Sequence, residues 1–115
     1  MTLLQLQQLF ASLVPRLIDH AIAQGMAVTL GDAYRTPQQA AANAANGAGI
    51  AHSLHCDRLA IDLNLFRGDG YLSDSESYRE LGQYWKSLNP LCCWGGDFKS
   101  RPDGNHFSIG YGGRK

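Results

Sequence analysis

Three short stretches of the 115-residue chain hold residue types that could do chemistry: Ser53-Leu54-His55, Asp62, and Asp103-Gly104-Asn105-His106. Asp62 stands on the polar side of an otherwise apolar run, where a carboxylate is either exposed or held by a partner. His55 lies just before that run, close enough to fold back beside Asp62, and His106 comes from a later extended stretch. Two imidazoles and one carboxylate make a zinc site with three protein ligands and an open fourth position, which separates catalytic from structural zinc. Asp103, three residues before His106, can approach such a centre without ligating it. A free carboxylate there can take a proton from water and later hand it to a leaving amine. The spacings alone are unspecific. They equally describe an ordinary surface histidine and a capped turn aspartate with no metal.

Other candidates compete with blander roles. Cys56 follows His55, but neighbours in an extended segment point to opposite sides, which argues against a shared ligand set. Cys92 and Cys93 read as core and edge residues of a short strand, with a nucleophilic Cys-His pair as the rival. His52 reads as a loop histidine, with a fourth ligand or a substrate contact as the alternative, and His20 as a surface residue of the first helix. Asp97 either turns the chain or orients a ligand histidine. Asp69, Asp74 and Glu76 lack the spacing of an EF-hand. Trp85 and Tyr84 are expected in the core, and Trp94 and Tyr111 either there or along a substrate groove.

The elements that must position these residues follow from periodicity. Residues 2–24 place Leu3, Leu6, Phe10, Leu13, Leu17 and Ala21 at three- and four-residue steps, an amphipathic helix that Pro15 could kink or split and Gly25 could end. Residues 26–30 have strand content. Thr36-Pro37 is a helix start, with Thr36 as N-cap, for an Ala-rich helix to Ala45 that 46–49 stops. Residues 59–65 alternate, with Leu59, Ile61, Leu63 and Leu65 on one side and Ala60, Asp62 and Asn64 on the other. Residues 67–70 form a turn, and Ser73 with Glu76 forms a capping box for a helix to about Leu88. Residues 94–97 read as a turn and 106–111 as a final strand. The order predicts an α+β domain, a small mostly antiparallel sheet with helices packed on it.

Composition limits the function classes. Ten Lys+Arg balance ten Asp+Glu, so no basic field draws nucleic acid or an anionic membrane. Hydrophobic residues make up 44%, enough for one core, and the length suits a single domain over 1–115 with no separate second domain. Three cysteines, two of them adjacent, make no disulfide framework and indicate a reducing compartment. No apolar run is long enough to span a bilayer. The N-terminus is periodic rather than a signal peptide, so synthesis in the cytoplasm is expected.

Ser53-x-His55-x6-Asp62, with Ala60 two residues before the aspartate, resembles the SxHxxGxAxD signature of the M15 metallopeptidases. Asp103 and His106 match the second motif of that family, an acidic residue three before a histidine. Trp94-Gly95-Gly96-Asp97-Phe98 is similar to the segment preceding it in the endopeptidase branch, and Ala33-Tyr34-Arg35-Thr36-Pro37 resembles an upstream YR(S/T) motif. The resemblance implies a peptidase fold with zinc at the sheet. It implies zinc ligation by His55, Asp62 and His106, acid/base catalysis by Asp103, a carbonyl-side role for Arg35, and a supporting or substrate role for Ser53. It implies a monomeric hydrolase of the peptidoglycan stem peptide, foremost a phage or prophage endolysin cutting L-alanyl-D-glutamate, released to the wall by another protein. A D-Ala-D-Ala carboxypeptidase or dipeptidase is the alternative. A non-catalytic zinc module, structural or wall-binding, is the alternative of another class. Arg58 stands where the family has glycine, which predicts a differently shaped loop over 56–58.

Overall fold

The computed structural model describes residues 1–47 and 53–115. His52 therefore lies outside the described residues, as does the end of the 46–49 helix stop. Helix α1 spans Leu3–Ala23. Thr2 caps it in a reciprocal capping box with Gln5, satisfying two of the free N-terminal donors. Pro15 lies within this single helix and does not split it. The exposed Pro15 lacks an N–H, which removes one internal hydrogen bond, but the flanking Leu13 and Leu17 anchor both sides in the core. Gly25 follows the helix at φ +86°, a left-handed exit that favours glycine.

Strand β1 (Ala27–Leu30) leads to helix α2 (Pro37–Ala45), where Thr36 accepts from the Gln39 amide as its N-cap. Strand β2 (Ala60–Arg67) turns through Gly68 into a two-residue strand β3 (Gly70–Tyr71), too short to be visible as a strand in sequence. The expected Ser73 cap is corrected. Asp74 caps a 3-10 turn over Ser75–Tyr78 by accepting from the Ser77 amide and hydroxyl, while Glu76 pairs with Arg79. Helix α3 then runs over Arg79–Leu88. Strands β4 (Cys92–Trp94) and β5 (His106–Ile109) complete the chain.

All strand pairings among the described residues are antiparallel, in the order β1-β2-β5-β4 with β3 beside β2. The fold is the expected α+β arrangement. One face of β2, carrying Ile61, Leu63 and Leu65, is buried against the helices, where Leu6, Phe10, Leu13 and Leu17 of α1 join Leu81 and Trp85 of α3. Trp85 stands edge-on to Phe10 and Phe107, with centroids 5.8 and 6.3 Å away, and its Nε1 donates to the Cys93 and Ser108 carbonyls. A buried indole that finds such acceptors ties α3 to β4 and β5 as well as filling the core. His20 is not merely a surface residue. It stacks on Tyr84 at 3.7 Å and meets Glu80 at 2.9 Å, joining α1 to α3.

Candidate metal centre

The register between β2 and β5 sets the site. Asp62 pairs directly with His106, and opposed residues of an antiparallel pair project on the same face with Cβ atoms about 5 Å apart. That face is the one opposite Ile61 and Leu63, away from the apolar core. The Asp62 backbone is held from the other side too, its carbonyl accepting from the Gly31 amide and its amide donating to the Asp32 carbonyl. Gly31 lies so close that an added Cβ would meet Asp62 Cβ at 2.9 Å.

His55 arrives on a 3-10 turn over Leu54–Asp57. Ser53 caps this turn, its Oγ accepting from the His55 amide at 3.1 Å. The Arg35 amide donates to the His55 carbonyl at 3.2 Å, and Gln7 of α1 donates to the Asp57 carbonyl at 2.8 Å. The turn ends at Arg58, with φ 57° and ψ 36°. Arg58 takes the left-handed conformation that a glycine favours, and its guanidinium lies 4.1 Å from the centre of the Tyr34 ring.

His55 Nε2 lies 3.3 Å and His106 Nδ1 3.7 Å from the same oxygen, Asp62 Oδ1. Both histidines are buried, at 2% and 6% exposure. Asp62 Oδ1 is itself buried and has no hydrogen-bond partner. Burial alone would raise the Asp62 pKa, but the imidazoles of His106 and His55 outweigh it and lower the value to about 2. A buried carboxylate oxygen left unbonded between two imidazole nitrogens is costly on its own and is what a bound cation satisfies. One ligand atom from each of these three residues falls within 4.8 Å of the others. Two imidazoles and a carboxylate suit zinc in type and number, so the residues present fit the metal.

Asp103, Arg35 and Ser53 line the same cavity of about 370 Å³, together with the three candidate ligands. The six residues for which the resemblance implied a role thus line one cavity. The turn carrying Asp103 is braced by the last residue of β4 and by Gly95 after it. The Asp103 amide donates to the Gly95 carbonyl at 2.9 Å, the His106 amide donates to the Asp103 carbonyl at 3.1 Å, and Trp94 Nε1 donates to the Gly104 carbonyl at 2.7 Å. An added Cβ at Gly95 would overlap the Asp103 carbonyl, so this packing requires glycine. Burial, and after it the nearby Asp62 carboxylate, push the Asp103 pKa up, while His106, His55 and Arg35 pull the other way. Arg35 Nη2 meets Asp32 at 3.1 Å, and its buried Nε has no partner.

Of the two roles open to Asp97, the structure does not show the second. Asp97 orients no histidine. It pairs with Lys86 at 2.6 Å, while His55 Nδ1 and His106 Nε2 are buried without a partner. Cys56 stays outside the ligand set. Cys92 is buried and Cys93 half-buried on β4, as a core-and-edge pair; burial pushes the Cys92 thiol up to about 12, which removes it as a nucleophile. Phe98, Arg101, Pro102 and Lys115 also line the cavity. Phe98 closes on the His106 ring at 5.4 Å. Nothing in the local spacing of Arg101 or Lys115 pointed to the site.

The family model described as D-alanyl-D-alanine carboxypeptidase, one of the M15 peptidase models, matches residues 46–109. No curated protein matches the chain. Among solved structures, the Serratia marcescens L-Ala D-Glu endopeptidase ChiX aligns with a TM-score of 0.70 over 87% of this chain and 79% of that one. The two are 19% identical, so that likeness bears on the fold. The family match takes in His55, Asp62, Asp103 and His106 and covers more than half of the sequence, and on it the chain belongs to the M15 family of peptidases.

Proposed function

We propose that the protein is a zinc-dependent peptidase that hydrolyses an amide bond in the peptidoglycan stem peptide, foremost the L-alanyl-D-glutamate bond. The observation that carries this reading is the unbonded Asp62 Oδ1 between His55 and His106, with Asp103 in the same cavity. His55, Asp62 and His106 would hold zinc, which when bound would supply Lewis-acid chemistry for the substrate carbonyl and for water at neutral pH. Asp103 takes the proton from the attacking water and returns it to the leaving amine. Arg35, at the cavity wall, would stabilise the negative charge that develops on the carbonyl oxygen. Ser53 holds the His55 turn in place through its cap.

The endopeptidase bond is preferred because ChiX, the structural neighbour, is an L-Ala D-Glu endopeptidase. The description of the matching family model favours a second reading, D-alanyl-D-alanine carboxypeptidase. A non-catalytic zinc module would have no use for Asp103. The biology that suits the reading is a monomeric phage or prophage endolysin, made in the host cytoplasm and released to the wall by another protein. No described helix is long and apolar enough to cross a membrane. The test is digestion of purified peptidoglycan, with product masses, before and after chelation and after zinc return. Cleavage lost on chelation and regained with zinc supports the metallopeptidase, and the masses name the bond. An intact wall in the presence of one bound zinc per chain would leave the non-catalytic module.

A further inference from the structure

The charge around the cavity differs from that of the chain. The side chains of the whole sequence sum to zero charge, yet those lining the cavity include three cations, Arg35, Arg101 and Lys115, and two carboxylates, Asp62 and Asp103. Asp62 is committed to the candidate metal centre, and a divalent cation there would add further positive charge. Arg35 already meets Asp32. Among the described residues, Arg101 and Lys115 form no ion pair.

Lys115 reaches the cavity because the segment before it is tied back. Tyr111 and Arg114 exchange two backbone hydrogen bonds across Gly112-Gly113, which sit at φ +60° and +75°. Arg114 Nη2 then pairs with Asp57 at 2.6 Å, on the very turn that carries His55. Arg101 comes from the opposite direction in sequence, two residues before Asp103. Two cations without partners at one cleft concentrate an anionic ligand there.

We infer that Arg101 and Lys115 form a cationic rim that binds a free carboxylate of an acidic peptide substrate beside the scissile bond, with Arg114 as the residue positioning Lys115. The inference rests on the peptidase reading and deepens it. Glutamate has two carboxyl groups, so in an L-Ala-D-Glu peptide one remains free next to the cut bond. A peptide ending in D-Ala-D-Ala offers its terminal carboxylate instead. The shared chemistry is a carboxylate one residue from the reacting carbonyl.

The test uses four peptides on the zinc-loaded protein: an L-Ala-D-Glu peptide and a D-Ala-D-Ala peptide, each as the free acid and as the carboxamide at that position. For whichever pair is cleaved, amidation is expected to raise KM. Arg101→Met and Lys115→Met are each expected to raise KM for the acid about fivefold, the range of a partly exposed ion pair. KM for the amide should move far less, and kcat less than KM. Lys99→Met, outside the cavity lining, serves as the charge control and should leave acid and amide alike. Variants that keep the full preference for the acid, or that weaken acid and amide equally, overturn the rim. Were neither pair cleaved by the native protein, the peptidase reading would fall. The rim would then be judged by calorimetric binding of the acids and amides to that same protein, equal affinity overturning it.

Discussion

Asp103 and His106 are three residues apart and line the same cavity, but their proposed roles separate under substitution. Asp103→Asn keeps the size of the side chain and removes its basicity. It is expected to cut kcat by about 10²–10⁴, the usual worth of a positioned acid/base, with zinc content unchanged by elemental analysis. Retained activity in that variant would sink the proton-transfer role. His106→Ala removes one of three ligands and should bring the metal content close to zero. Arg58 gives a different kind of test. A left-handed conformation costs an L-residue about 1–2 kcal/mol, partly offset by its stacking on Tyr34 at 4.1 Å, worth about 0.5–1 kcal/mol. Arg58→Ala loses the stacking and keeps the strain, whereas Arg58→Gly loses the stacking and relieves the strain. Denaturant unfolding should therefore rank Gly above Ala.

The elements around the site hold it through close backbone approaches. The Trp94 ring packs closely on Gly82 of α3 and on Gly96, and an added Cβ at either glycine would overlap it. Gly82 is a helix-interior glycine, where alanine would normally gain about 1 kcal/mol. Here overpacking against a buried indole reverses the sign, at about 1–3 kcal/mol. Gly82→Ala is therefore expected to lower Tm, and a higher Tm would show that the ring can move aside. Trp94 also donates to the Gly104 carbonyl next to Asp103, so the same substitution should depress activity in the folded fraction. The 3-10 turn over Leu54–Asp57 is held from three sides, by Arg35, Gln7 and Arg114. Such a short turn has little rigidity of its own.

Across the whole molecule, the candidate ligands come from three separate pieces of chain: the turn before β2, β2 itself and β5. A metal bound by all three links them only in the folded state, so its binding free energy adds to folding. With zinc at about a hundredfold over its Kd, the stabilisation is about 2.7 kcal/mol, or roughly 10 °C in Tm for a chain of this size. Thermal unfolding with and without chelator should show that drop, reversed by zinc. An unchanged Tm would argue against a tight site. The zinc-free protein should still unfold cooperatively, because the core of α1, α3 and the inner sheet face contains none of the ligands.

Much of this was legible in the residues themselves. The alternation over 59–65 placed Ile61 and Leu63 inward and Asp62 outward, because side chains in a strand alternate faces. The three- and four-residue steps of α1 and the Thr36-Pro37 start were equally local signals, as were the ordered motifs around His55, Asp62 and His106. Local signals failed where two nearby groups competed for one role: Asp74 rather than Ser73 caps the turn before α3. What the tertiary structure alone decided were the contacts between distant stretches. The β2–β5 register sets Asp62 against His106, Asp97 is drawn to Lys86, Trp94 is packed on two glycines, and Arg101 and Lys115 line the cavity of the site. Periodicity determines which way a side chain faces along its own element. Which distant side chain it meets depends on how the sheet pairs and the helices pack, and that is settled by the fold as a whole.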